Sequence, residues 1–201
     1  NFRGNLIKKF IDQGFQVFAI APNIDISNKV FLNQLGVKLK IVNFERKSIN
    51  PLSSFKSFIN LISIIKAIKP AYTFSYTHKP LVFGALASYF SGVPKIISLV
   101  TGTGHIFDHH NLLTKTRRAI GLLGFKLAFK VSTFVIFQNK DDRALFLELG
   151  LVNSSKTSIV NGSGVDINHF YPAKFPDGLT FLCLARLIKS KGLQEYAEAC
   201  R

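Results

Sequence analysis

The 201-residue sequence contains no methionine, not even at its first position, and only two cysteines. Acidic residues are scarce, with 11 Asp and Glu against 26 Lys and Arg. Each scarcity excludes something. Cys183 and Cys200 show no Cys-x-x-Cys or Cys/His spacing, which argues against zinc and a disulfide and for a reducing compartment. No apolar run reaches the length of a bilayer span, because "IGLLGFKLAFKVSTFVIF" is interrupted by Lys126 and Lys130. At 47% hydrophobic and 18% charged residues, the chain is not of disordered type and can build a real core. The absent methionine, the helix-like opening "RGNLIKKFIDQG" and a stop at Arg201 inside a helix-like stretch predict a fragment of a longer protein.

The positive charge is unevenly placed. Residues 1–140 carry 19 Lys and Arg against 4 Asp and Glu, whereas residues 141–201 carry 7 of each. A basic region suits anionic partners, whether nucleic acid, an acidic membrane surface or phosphorylated ligands. An AT-rich genome accounts for abundant lysine but not for this asymmetry.

Short apolar runs alternate with segments of helical period. Strands are predicted at 15–22, 37–44, 71–77, 95–101, 133–138, 156–161 and 179–186, with Cys183 buried in the last. Helices are predicted at 51–70, 79–92, 112–131, 140–150 and from about Ser190. In the first of these, Phe55, Phe58, Ile59, Ile62 and Ile65 form one apolar stripe. The alternation implies an α/β fold with a parallel sheet and helices on both faces. Ligands of such sheets bind beyond the carboxyl ends of the strands, so the strand-to-helix loops are the ones of interest. The Gly-, Pro- and Asn-rich stretch 161–178 is the predicted domain boundary.

Four features stand out. "TGTGHIF" places Gly102, Thr103, Gly104 and His105 after a strand, but Phe107 stands where the dinucleotide fingerprint needs its third glycine. A plain tight turn and a ligand-approaching turn both remain open. "SYTHKP" sets His78 after another strand, either as helix-entry chemistry or facing one crevice with His105. "ARLIKSKG" flanks a turn with Arg186 and Lys191, as a solvated basic turn or a diphosphate clamp at a helix N-terminus. On helix 112–131, Lys115, Arg118, Lys126 and Lys130 share a side with Leu122 and Phe129, while Leu113, Ile120, Gly124 and Leu127 line the side predicted to pack on the core. That first side is either a solvated face or one suited to an anionic membrane.

Together these segments resemble glycosyltransferase family 4, which has the two-domain GT-B fold. "NFRGNLIKKFIDQGFQVFAIAP" is similar to the segment after that family's first strand, "NGSGVDINHFYP" to its interdomain G-V-D-x-x-x-F-x-P segment, and "FLCLARLIKSKGLQEYAEA" to its [GA]-R-L-x-x-x-K-G entry to the second domain. The loops "SYTHKP" and "TGTGHIF" resemble those of a subgroup that builds bacterial surface glycans on polyprenyl-diphosphate carriers. The resemblance implies a Rossmann-like acceptor domain at 1–165 lacking its first strand, a linker at 166–178, and at 179–201 the truncated start of a Rossmann-like nucleotide-sugar domain. It also implies retaining transfer of a hexose or N-acetylhexosamine from a UDP-sugar to a lipid-linked saccharide. No metal or other cofactor is implied, and the location is the cytoplasmic face of the plasma membrane. Arg186 and Lys191 would hold the donor diphosphate. His78, His105, Gly102, Thr103 and Gly104 would line the cleft, with Arg3 and Gly4 in the glycine loop. The family's E-x7-E segment is missing, so the isolated fragment is expected to be inactive. A UDP-N-acetylglucosamine 2-epimerase of the same fold is a rival reading. A basic nucleic-acid-binding module is another, although no nucleic-acid motif supports it.

Overall fold

A computed structural model describes residues 3–42, 51–103, 112–185, 187 and 191–200. The chain divides into two units, Asn1–Gly164 and Val165–Arg201. In the first unit, α1 (Gly4–Asp12) leads to β1 (Phe18–Ala21), α2 (Ile26–Gln34) and β2 (Lys38–Ile41). Then come α3 (Pro51–Ile68), β3 (Tyr72–Tyr76), α4 (His78–Phe90), β4 (Lys95–Val100) and α5 (Leu112–Val131). The unit closes with β5 (Phe134–Phe137), α6 (Lys140–Glu148) and β6 (Thr157–Ile159). Strands β1 and β2 form a parallel pair, and β3-β4-β5-β6 form a four-stranded parallel sheet in chain order.

The sheet face formed by Ile96, Ser98, Val100, Val135 and Phe137 is buried beneath helices. Phe125 and Phe129 of α5 and Phe146 of α6 interlock there with Phe137 at ring separations of 5.3–6.5 Å. Aromatic pairs of this kind add to the stabilisation from area burial alone. Helix α4 lies between α3 and α5. Phe83 of α4 meets Phe58 of α3, and Val82 of α4 lies against Gly124 of α5. On its sheet side α4 sits very close to β3, because Gly84 presents no side chain to Ser75.

Helix α2 was not anticipated. It is started by Asp25, whose carboxylate accepts hydrogen bonds from the Asn28 N–H at 2.8 Å and from the Ser27 hydroxyl at 2.7 Å. These bonds hold its carboxyl pKa down, at about 2. Its apolar residues are not arranged in a stripe. Ile26 and Val30 are exposed and Leu32 alone is buried, which is why periodicity did not reveal it.

On α3 the predicted stripe is rotated. Leu61 and Ile65 are buried with Phe58 and Ile62 beside them, while Phe55 and Ile59 face outward. The turn of the stripe follows α4, which meets α3 through Phe58 and through Ser91, whose hydroxyl donates to the Ile62 carbonyl.

In the second unit α7 (Leu193–Ala199) follows Gly192. Tyr196 of this helix donates from its hydroxyl to the Phe181 carbonyl at 2.9 Å. The strand predicted at 179–186 is not formed in its described part. Residues 179–185 are irregular, Leu179, Phe181, Leu182 and Leu184 are exposed, and Cys183 is half-buried rather than a buried strand residue. A parallel strand exists only through hydrogen bonds to a neighbouring strand, and no other strand is found among the described residues of this unit.

Candidate active site

Strands β3 and β4 run parallel with Tyr76 paired to Leu99, so their carboxyl ends are side by side. The loops leaving them therefore meet. His78, the first residue of α4, lies with Nε2 2.9 Å from the Gly102 carbonyl oxygen. Only Nε2–H can donate to that carbonyl, so in the neutral imidazole Nδ1 is left as an acceptor. The His78 ring also stands edge-on to Phe125 of α5 at 5.7 Å. The imidazole is thus held by the β4 loop on one side and the helix layer on the other. A shallow depression lies here, lined among others by Thr77, His78, Thr101, Gly102 and Phe125, with no enclosed space that would hold a water molecule.

Two backbone conformations shape this corner. Gly102 has φ +136°, a region that residues with a side chain rarely adopt. Thr77, between β3 and α4, has φ +66° and ψ +152°. That combination is essentially reserved for glycine and costs a β-branched residue on the order of 1–3 kcal/mol. The strain sits one residue before His78, at the junction of β3 and α4. Thr77 and Phe125 were not singled out from the sequence. Thr77 stands inside the quoted loop, but no residue-type signal reveals a positive φ at threonine.

The other predicted residues distribute as follows. Arg3 is buried, with its guanidinium 5.1 Å from the ring centroid of Tyr76 at the carboxyl end of β3, and Gly4 is the first residue of α1. Thr103 is half-buried beside Gly102. Gly104 and His105 lie outside the described residues, as does Arg186. Lys191 belongs to the second unit and is exposed, immediately before the Gly192 that begins α7. Among the described residues no group of three His, Cys, Asp or Glu side chains is placed to hold a metal ion.

On α5 the predicted faces need correction. Phe129 is fully buried and Leu122 packs half-buried against the core, so neither lies on a membrane-facing surface. Of the side predicted to face the core, Ile120 (67% exposed) and Leu127 (44%) point outward instead, joined by Leu123, whereas Gly124 lies against Val82 of α4 and the Leu113 side chain lies outside the described residues. Both sides of this helix are apolar, and the aromatic partners Phe137 and Phe146 selected the phenylalanine side. Lys126 and Lys130 are exposed, Arg118 is half-buried, and Lys115 lies in the first turn of the helix. No helix among the described residues is long and apolar enough to cross a membrane.

Comparison with known proteins fits this architecture. Residues 2–139 match the family described as "Glycosyl transferase 4-like". Over 99% of its length the chain is 28% identical to the N,N'-diacetylbacillosaminyl-diphospho-undecaprenol alpha-1,3-N-acetylgalactosaminyltransferase of Campylobacter jejuni, of which it covers 56%. The chain thus spans about half the length of that relative. Among solved structures, Acinetobacter baumannii MurG aligns with 81% of this chain and 42% of its own at a TM-score of 0.50 and 14% identity, a likeness of fold.

Proposed function

The chain belongs to the glycosyl transferase 4-like family, and from that premise we propose that its protein transfers a hexose or N-acetylhexosamine from a UDP-sugar to a polyprenyl-diphosphate-linked saccharide. The acceptor class follows the name of the Campylobacter jejuni relative, which specifies a saccharide linked to diphospho-undecaprenol as its substrate. The observation that carries the reading is the bond from His78 to the Gly102 carbonyl. It joins two strand-to-helix loops at the carboxyl edge of a parallel sheet, where α/β folds bind their ligands.

In this reading His78 offers Nδ1 to a sugar hydroxyl while Nε2–H is held by the protein. Thr101 lines the same corner with Thr103 nearby in sequence, Gly104 and His105 are assigned to recognition of the sugar, and Arg3 and Gly4 flank the corner. Arg186 and Lys191 neutralise the departing nucleoside diphosphate. Positive charge aimed where charge develops is what lowers the barrier, so no metal ion is called for. Transfer proceeds with retention. The protein works at the cytoplasmic face of the plasma membrane, held there by its lipid-linked acceptor and the anionic surface. Neither the epimerase reading nor the nucleic-acid reading is favoured by a described feature.

The test is direct. The full-length protein is incubated with UDP-sugars and a short-chain prenyl-diphosphate saccharide, and the product is read by mass spectrometry. Addition of one hexose or N-acetylhexosamine is expected, and His78→Ala should lower kcat by about 10²-fold, as expected for a lost transition-state hydrogen bond. Epimerised UDP-sugar without transfer would overturn the reading, as would full activity in His78→Ala together with Lys191→Ala.

A further inference from the structure

Strand β3 delivers to the candidate site an aromatic residue that the proposed function does not use. Side chains alternate along a strand, and Ser75 is turned toward α4, where it meets Gly84. Phe74 and Tyr76 lie on the opposite face, with ring centroids 6.1 Å apart. Thr77 then makes its strained turn and His78 opens α4, so Tyr76 and His78 flank Thr77 at the carboxyl edge of the sheet. Tyr76 is 37% exposed there. Its ring is nevertheless held, because the buried guanidinium of Arg3 lies 5.1 Å from the ring centroid, within cation–π range. Among the described residues the Tyr76 hydroxyl makes no hydrogen bond. An oriented aromatic ring with a polar tip thus stands at the edge where parallel sheets bind their ligands.

We propose that Tyr76 binds the acceptor, stacking its ring against a sugar of the lipid-linked saccharide and offering its hydroxyl to that sugar, with Arg3 fixing the ring. The proposal rests on the function above and names a specificity residue of the same site. Chemistry selects the occupant. A pyranose carries C–H groups on one face, which pack on an aromatic ring, and hydroxyls at its rim, which pair with the phenol. A prenyl chain would cover the phenol hydroxyl without giving it a partner, which burial penalises. A nucleobase would also stack, but in the proposed function the nucleotide is held through Arg186 and Lys191 of the second unit. Tyr72 lies on the same face of β3 at its amino end and is also exposed, so it supplies an internal control away from the ligand edge.

Calorimetric titration of the full-length protein tests the proposal without relying on turnover. Three probes are compared: a short-chain prenyl diphosphate bearing one N-acetylhexosamine, the same prenyl diphosphate without sugar, and UDP. Tyr76→Leu should weaken binding of the sugar-bearing probe about tenfold, as expected for a lost stacking contact, and leave the other two Kd values unchanged. Tyr76→Phe keeps the ring and should cost about threefold, the share of one hydrogen bond. Tyr72→Leu should change none of the three. Circular dichroism melting of each variant controls for folding. An unchanged Kd for the sugar-bearing probe in Tyr76→Leu would overturn the assignment, as would no binding of that probe by the wild type. An equal loss for the sugar-free probe would assign the ring to the diphosphate or the lipid, and a loss for UDP would assign it to the nucleobase; either overturns the proposal. A loss in Tyr76→Phe as large as in Tyr76→Leu would overturn the stacking. Transfer by the wild type is measured alongside. Its absence, with the Tyr76→Leu effect on sugar-bearing probe intact, would refute the enzymatic reading while leaving the saccharide contact standing.

Discussion

Gly84 and Ser75 are packed so closely that a Cβ on Gly84 would lie 2.3 Å from the Ser75 hydroxyl oxygen and 3.0 Å from the Ser75 Cβ. Helix α4 can rest this near β3 only because position 84 has no side chain.

Gly84→Ala should therefore destabilise the protein. Overpacking costs on the order of 1–3 kcal/mol, and the better helix propensity of alanine returns about 1 kcal/mol of it. A lower midpoint of urea denaturation is expected, with the slope unchanged. Gly124→Ala provides a milder comparison, because its added Cβ meets a movable Val82 methyl at 3.3 Å.

Thr77→Gly should do the reverse. Glycine adopts φ +66°, ψ +152° without the penalty that threonine bears there, so stability should rise by about 1 kcal/mol after the entropic cost of glycine. If the strain sets the direction of α4, kcat should fall in the same variant. Thermal melting and transfer kinetics on one preparation measure both quantities.

Lys156 anchors the end of α5. Its ammonium donates to the Phe129 carbonyl, to the Ser132 carbonyl at 3.1 Å and to the Lys130 carbonyl at 3.3 Å. These are carbonyls at the end of the helix and just beyond it, which lack partners within it. Lys156→Met keeps most of the aliphatic stem and removes the donors. A loss of about 1–3 kcal/mol is expected from denaturant titration.

Asp25 predicts a pH dependence. Its carboxyl titrates at about 2 in the folded protein against 3.8 ordinarily, because the N–H and side chain of Asn28 and the Ser27 hydroxyl bond to the charged form. A depressed carboxylate pKa contributes stability that is fully present above pH 3.8 and is lost as pH falls through 2. Carbon-detected NMR titration of the side chain should show the low midpoint. Asp25→Asn should flatten this part of the stability profile between pH 4 and 2.

The alternation of apolar runs and helical segments was readable because strand and helix periods are local properties. It located every strand of the four-stranded sheet, and the rule that ligands gather at carboxyl ends then pointed to the loops holding His78 and Gly102. Helix α2 was not readable in this way, because its signal is a capping aspartate without an amphipathic stripe.

By itself the sequence determined the class of fold, the order of its elements and the loops worth examining, since each follows from residue type and short-range spacing. The tertiary structure alone decided which side of α5 turned inward. Phe129 and Leu127 are equally apolar neighbours in pattern, and only Phe137 and Phe146, distant along the chain, select between them. It also decided that His78 reaches Gly102, 24 residues away, and that residues 179–185 remain without a strand. The physical reason is common to all three. Side-chain periodicity states that a surface is apolar or that a segment can extend, but the partner that buries or pairs with it is supplied by contacts remote in sequence.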